Sequence, residues 1–503
     1  MQRRDFLAAA STMLLPVVLD GFRIKSYGKD SPLVKSIMKT AALNNDKILV
    51  VIYLNGGNDG LNTVIPLEYY SKYNALRTNI AIPEAQVLRL SGNLETGLHP
   101  AMTGMRDMYN EGKLGIIHSV SYPNPSLSHY RSSEILMTAV DSNQYAQTGW
   151  AGRYLENEFP NITTTEMLDP LAIQIGYTNS TALLGSQQPL GVAIPNVDSF
   201  YRLTGEAGSI SSGDQQCCDP GDMIEHFRQQ QIMSVAYATE IKRAAAAGHN
   251  QVTYPTASST NELSEQLKVV ARLIHGGLKT KIYYLEMLGY DTHAGQVGTN
   301  NTEGIHANLL KKLSDSIAIF QKDLKAQGTE NKVVGMTFSD FGRRATSNAS
   351  KGTDHGIAAP MFVFGTGIKR QVVGTNPDLV NDLVPLVAPA HDSNQDIKMQ
   401  IDFRRVYNDI INDWFGVTKT TTDSILFRNF NTISLFSDVV ETVKSGSWPD
   451  REVWSSNRVP GPNEYVKVNY GHNIQIAQDI TVKNIQVDGE LTFLGSFGVN
   501  TTG

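Results

Sequence analysis

Cysteine is nearly absent from this sequence: Cys217 and Cys218 are the only two among 503 residues, and they are adjacent. That excludes a disulfide framework and any Cys-x-x-Cys zinc or redox motif, and a bridge between neighbouring residues is strained. An excess of positive charge is missing as well. Lysine and arginine number 43 against 49 aspartates and glutamates, a net charge of −6 with no basic run to offset it. An electrostatic nucleic-acid binder is thereby excluded, since such domains are basic. Nor is there an apolar stretch of the ~20 residues that a membrane-spanning helix needs. What the chain does have is length and 41% hydrophobic residues, enough to bury a large core.

The N-terminus differs in kind from the rest. Arg3-Arg4-Asp5-Phe6-Leu7 leads into the apolar run Leu7 to Leu19. Paired arginines before a short, moderately hydrophobic segment form a twin-arginine export signal, assigned here to residues 1–25. A buried first helix is the alternative, but core helices seldom start directly behind two charged residues. This reading makes the twin-arginine export machinery a partner and places the protein in the periplasm or at a bacterial cell surface. No Ala-x-Ala cleavage site follows.

Beyond a polar linker, Lys47 to Leu54 is a continuous apolar, β-branched run, the pattern of a strand buried on both faces. Leu114 to Val120, Lys281 to Leu288, Lys332 to Phe338 and Pro360 to Phe364 repeat it. Helical patterns alternate with these runs: Pro100 to Glu111, Tyr130 to Ala139, Asp222 to Ala247, Ser259 to Leu278, His306 to Ala326 and Asp402 to Phe415. The alternation predicts an α/β fold with a mostly parallel sheet covered by helices, over residues 45–440. Residues 155–225 lose the pattern and read as an insertion. From 445 to 503 short alternating strands separated by Gly, Asn and Asp predict a small β-rich module, or the rungs of a β-solenoid.

Ligands of parallel sheets bind outside the carboxyl ends of the strands. Three strand-like runs here deliver an aspartate just past that end: Asp59, Asp291 and Asp340. Asp291 brings His293, and a Gly-rich segment further on holds Asp354-His355-Gly356. Each alone is an ordinary turn former or structural residue. Together, carboxylate oxygens and imidazole nitrogens suit a divalent ion such as Zn, Mn, Mg or Ca. Arg343 and Arg344 are candidates to offset repulsion among the carboxylates. The segment Tyr122-Pro123-Asn124-Pro125-Ser126-Leu127-Ser128-His129-Tyr130-Arg131 sets hydroxyls at a helix start, where backbone N–H groups attract anions. A serine there is either a nucleophile toward a phosphate or sulfate ester or a helix cap.

The chain resembles the twin-arginine-exported bacterial family called domain of unknown function 1501. The resemblance lies in Asn55-Gly56-Gly57-Asn58-Asp59-Gly60-Leu61-Asn62, Leu98-His99-Pro100, Ser128-His129-Tyr130-Arg131-Ser132, Gly149-Trp150-Ala151-Gly152-Arg153, Asp291-Thr292-His293, Ser339-Asp340-Phe341-Gly342-Arg343, Asp354-His355-Gly356 and Asp402-Phe403-Arg404. Through that family it is similar to the alkaline phosphatase and sulfatase superfamily, whose members hold two metals. The resemblance implies Asp59, Asp291, His293, Asp340 and His355 as metal ligands. It implies Ser128 as nucleophile, with Ser126 two residues earlier as the alternative. Beside it, His129 is placed in the catalytic group, and Arg131 is a candidate to grip an ester oxygen, since a guanidinium fits tetrahedral oxyanions in a forked geometry. Phe341 departs from the superfamily pattern, because it stands where a second ligand is common. The stretch Trp454-Ser455-Ser456-Asn457-Arg458-Val459-Pro460-Gly461 resembles the start of β-helical modules on bacterial surface proteins.

Two readings follow. One is an exported metal-dependent hydrolase of small-molecule or glycan phosphate or sulfate esters. The other is a non-catalytic periplasmic or surface protein that uses the same fold as a binding scaffold.

Overall fold

The computed structural model describes residues 17–19, 22–24 and 46–501, the last without 161–168, 177, 187, 195–236, 256–261, 385–395, 437–438, 455–458, 463 and 483. Arg3, Arg4, most of the apolar run behind them, Cys217 and Cys218 lie outside the described residues. The chain divides into two compact units. One is residues 42–435, and the other joins 436–503 with the N-terminal segment that contains 17–24.

The larger unit is built on a nine-stranded sheet. Its strands are β1 (Ile48–Leu54), β2 (Leu114–Ser121), β3 (Ala172–Ile175), β4 (Gly191–Ile194), β5 (Ile282–Met287), β6 (Val333–Ser339), β7 (Ala359–Phe364), β8 (Gln371–Val373) and β9 (Ile401–Asp402). They lie in the order β8-β2-β7-β6-β1-β5-β3-β4, with β9 also on β2. β1 is buried along its whole length, because its Ile-Leu-Val-Val-Ile-Tyr-Leu sequence offers apolar surface to both faces. The pairings are parallel except at β7, which runs against both β6 and β2. β3 and β4 fall within the residues that read as an insertion. Both join the sheet, β3 beside β5 and β4 beyond it.

Helices cover both faces. On one, α1 (Thr103–Asn110), α4 (Glu262–His275) and α5 (Ile305–Ala326) bury Met105, Met108, Leu267, Val270, Leu313, Ile317 and Phe320 against Val50, Ile52 and Leu54. Further helices include α2 (His129–Thr138), α3 (Trp150–Glu158) and α6 (Phe403–Asp409). Trp150 of α3 stacks on Tyr407 of α6 with ring centroids 4.5 Å apart. Trp414, just beyond α6, donates from Nε1 to the Ile48 carbonyl at 3.1 Å.

Register positions the site. Leu54, the last residue of β1, pairs with Met287 at the end of β5 and with Ser339 at the end of β6. The segments that follow all three strands therefore leave the sheet side by side.

In the smaller unit, short strands pair in parallel ladders: Val439–Glu441 with Tyr465–Val468 and then Asn484–Val487, and Gly446–Ser447 with Asn473–Ile476 and then Glu490–Phe493. Ile480–Val482 pairs with Val499–Thr501. Val466, Val468, Ile474, Ile476, Ile480 and Val482 point inward around Trp448 and Trp454.

Leu285 in β5 is fully buried. Leu285→Ala should cost about 2–5 kcal/mol, the lost transfer energy plus the cavity left behind, read as a lower urea midpoint for the larger unit. A loss under about 1 kcal/mol would show that this strand is not part of the packed core.

Candidate metal centre

Two glycines let the loop after β1 run beneath its neighbours. Gly56 has φ +123, and a Cβ there would lie 2.3 Å from the Asp291 nitrogen. Gly57 has φ +78, and its Cβ would strike the Phe341 ring at 2.6 Å. Only glycine adopts these angles at little cost while allowing such contact.

The groups meet above this loop. Asp340, the first residue past β6, is buried. Its carboxylate accepts from the Tyr53 hydroxyl, from the Gly56 N–H at 3.1 Å and from His129 Nδ1 at 2.5 Å. His129 opens α2, behind Ser128 at the cap position. His355 precedes β7 and donates from Nδ1 to the Leu127 carbonyl at 2.8 Å. A neutral imidazole that donates through Nδ1 carries its lone pair on Nε2. Both lone pairs face the Asp291 carboxylate: His129 Nε2 lies 3.7 Å from Oδ2, and His355 Nε2 lies 3.6 Å from Oδ1. His293 adds another nitrogen, Nε2, at 2.9 Å from His355 Nε2 and 3.3 Å from Asp291 Oδ1.

One ligand atom each from His129, Asp291 and His355 lies within 4.8 Å of the others. Donors bonded to one tetrahedral zinc at ~2.1 Å sit roughly 3.4 Å apart, so the spacing fits with small adjustment. Repulsion among two imidazole lone pairs and a carboxylate is offset here by the Arg343 guanidinium on Asp291 and by His293, whose Nε2–H can donate to His355 Nε2, and a cation among them would offset it further. The outer contacts also match what ligands require, with each histidine fixed through its far nitrogen by a carboxylate or carbonyl.

Asp291 is held by Arg343, whose buried Nη2 lies 2.6 Å from Oδ1. Partial burial pushes the Asp291 carboxyl up, but Arg343, His293 and His129 outweigh it and hold it below the usual range. Burial lowers His355, the Leu127 carbonyl opposes that, and Arg343, His129 and His293 lower it further. Phe341 is packed rather than polar. Its ring lies 4.7 Å from that of His129 and 4.3 Å from that of His355, an apolar wall against two of the candidate ligands.

Of the residues expected as ligands, Asp291 and His355 belong to this group, His293 lies beside it, and Asp340 stands behind His129 as its hydrogen-bond partner. Asp59, Arg131 and Ser128 are placed elsewhere. Asp59 is fully buried, with both oxygens bound by Arg77 Nη1 at 2.8 and 2.6 Å and one also by Gln296 Nε2 at 2.5 Å. Burial raises its pKa, but Arg77, His306 and these hydrogen bonds bring it below the ordinary value. The guanidinium neutralises the carboxylate, which lies outside the His129, Asp291 and His355 group. Arg131 turns back along its own segment, to Glu134 at 2.7 Å, to the Ser142 carbonyl at 2.9 Å and to the Gln144 carbonyl, with its guanidinium over Tyr145. These acceptors occupy the fork that an ester oxygen would need. Ser128 is exposed and makes no side-chain cap bond. Its N–H donates to Ser126 Oγ at 3.2 Å, and the neighbouring His129 is the residue that enters the group. Tyr53, Arg77 and Gln296 escaped sequence reading because no motif surrounds them. Tyr53 reads as one more core residue of an apolar strand.

Arg77→Met would leave Asp59 as an uncompensated buried charge and should cost about 3–5 kcal/mol, whereas adding Asp59→Leu should recover much of that. Because the folded Asp59 pKa is depressed, the pair's contribution is complete above the ordinary value of 3.8 and is lost as pH falls through the folded value. Urea titrations of the three proteins from pH 7 to pH 2 check both points. Equal stability of the Arg77→Met variant and the wild type would remove the assigned role.

Residues 222–426 match the family described as Protein of unknown function (DUF1501). No curated protein matches the chain. Among solved structures, the PsFucS1 sulfatase from Pseudoalteromonas sp. is similar at 11% identity, covering 81% of this chain and 76% of that one, with a TM-score of 0.35. A protein of the alkaline phosphatase superfamily from Vibrio parahaemolyticus is 12% identical, with 69% and 72% covered and a TM-score of 0.27. The alkaline phosphatase from the Antarctic bacterium TAB5 is 9% identical, with 65% and 94% covered and a TM-score of 0.27.

Proposed function

We propose that the chain is an exported metal-dependent hydrolase of phosphate or sulfate esters, working with one divalent cation held by His129, Asp291 and His355. One observation carries the reading: two imidazole Nε2 atoms, each oriented through Nδ1, converge on a carboxylate in an open cleft. Two nitrogens and one oxygen favour Zn or Mn over Mg or Ca, which prefer all-oxygen ligands. Such an ion supplies positive charge and Lewis acidity to an ester oxygen. The protein's own groups do the rest. Asp340 holds the ring of His129 in one orientation, and Arg343 does the same for the Asp291 carboxylate. The backbone N–H groups at the first turn of α2 favour a dianionic or monoanionic ester beside them. Ser128 offers a hydroxyl at that same turn. The paired arginines near the N-terminus support action outside the cytoplasm.

The scaffold reading has its own support, since Arg77 neutralises Asp59 and Arg131 is bound within its own segment. Metal content and turnover separate the two. Protein purified without chelators should carry about one Zn or Mn per chain by elemental analysis. His129→Ala and His355→Ala should each abolish it, and Asp340→Ala should weaken metal affinity roughly 10–100-fold. Aryl phosphates and sulfates with Zn, Mn, Mg and Ca test catalysis, with Ser128→Ala assigning the nucleophile. Metal-free, inactive wild type under all these conditions would favour the scaffold.

Export has a separate test. Replacing Arg3 and Arg4 by lysine should leave the protein in the cytoplasm, measured by cell fractionation. Normal export of that double variant would remove the twin-arginine assignment.

A further inference from the structure

The cleft beside His129 has a volume of about 360 Å3 and is lined by Tyr53, Asn55, His129, Tyr130, Ser133 and Asp291, with Gly56 and Gly289 contributing backbone. Tyr130 is 91% exposed although it lines this cleft. A single exposed aromatic is ordinary on a protein surface. Tyr130 differs in where it sits, directly after a candidate metal ligand in the first turn of α2. The other strongly exposed tyrosine nearby, Tyr145, has its ring covered by the Arg131 guanidinium 3.9 Å from the centroid. Tyr53, the second aromatic of the cleft, is 4% exposed and engaged with Asp340. Tyr130 therefore offers the accessible aromatic surface of the cleft. The remaining lining is polar: Asn55, whose amide N–H donates to Glu286 at 2.6 Å, Ser133, whose hydroxyl donates to the Tyr130 carbonyl at 3.1 Å, the Asp291 carboxylate and glycine backbone, so that the side chains offer oxygens as acceptors to a ligand.

Resting on the hydrolase reading above, we infer that Tyr130 is a platform for a pyranose ring, so that the substrate is a phosphate or sulfate ester of a sugar. A pyranose presents an apolar C–H face and a hydroxyl-bearing edge. One uncovered aromatic within an otherwise polar cleft matches both. The ring packs on Tyr130 while its hydroxyls meet Asn55, Ser133 and backbone groups. A planar aryl ester has the apolar face but brings no hydroxyl donors to the oxygens that line the cleft, so it gains the ring contact alone. The ester group, attached at the ring edge, then reaches the His129, Asp291 and His355 cluster.

The test is calorimetric titration of zinc-loaded full-length protein with glucose 6-sulfate, glucose 6-phosphate, phenyl phosphate and ethyl phosphate. Wild type should prefer the sugar esters over ethyl phosphate. Tyr130→Ala should reduce that preference by about three- to tenfold, the scale of a single ring contact, and Tyr130→Trp should restore it. An unchanged preference in Tyr130→Ala overturns the platform, as does wild type that binds no sugar ester. Dependence on Tyr130 confined to phenyl phosphate would overturn the sugar assignment in favour of an aryl ester. Elemental analysis of the same samples keeps the two proposals apart: failure to hold zinc sinks the metal reading, whereas zinc-loaded protein indifferent to Tyr130 sinks this one.

Discussion

The guanidinium of Arg343 is fully buried, and nearly everything at the carboxyl edge of the sheet is arranged around it. It donates to the Gly57 carbonyl at 2.8 Å, to the Thr353 carbonyl at 2.7 Å, to the Gly56 carbonyl, and to Asp291 Oδ1 at 2.6 Å. Those acceptors belong to the loops after β1, β5 and β6. A buried cation costs several kcal/mol unless its donors are all satisfied, so the loops are held where they satisfy it. Because Arg343 grips one oxygen of Asp291, that carboxylate is oriented before any ligand arrives. The positions of His129 and His355 gain meaning only relative to it.

Seen this way, the three aspartates that follow β1, β5 and β6 are managed separately. Arg77 neutralises Asp59, Arg343 holds Asp291, and Tyr53, Gly56 and His129 satisfy Asp340. Converging carboxylates would otherwise repel in a partly dry site. Separation by two buried arginines leaves the half-exposed Asp291 as the carboxylate that meets imidazole lone pairs. His129, Asp291 and His355 thus turn one ligand atom each toward a common position, while the Phe341 ring packs on His129 and His355 and contributes no donor.

Much of this was legible in the sequence, for a physical reason. Strands buried on both faces cannot alternate, so β1, β2, β5 and β6 stand out as apolar runs, and each ends where a polar segment must begin. The aspartates and His355 could be chosen from position alone. Partnership was not legible. Tyr53 and Asp340 are 287 residues apart, and Arg77 lies 18 residues from Asp59, so neither contact leaves a local pattern. Arg131 lies near the anion-binding turn by helical spacing, while the acceptors that claim it are Glu134 in the same helix and two carbonyls in the segment after it. The direction of β7 was hidden too, since a buried strand reads alike in either orientation.

The first turn of α2 is where these constraints combine. Its start follows from the length of β2 and from the loop through Asn124, which adopts φ 53. That start puts Ser128 at the cap, exposed, and His129 against Asp340. A shift of one residue rotates a helical side chain by about 100°, since 3.6 residues complete a turn. It would carry His129 away from Asp340 and move Tyr130 off the cleft. Two side chains therefore depend on one helix start: the imidazole that meets Asp291 and the ring beside it are set by the same backbone geometry. An insertion or deletion in the loop from Tyr122 to Leu127 would disturb both at once, and with them the Leu127 carbonyl that orients His355.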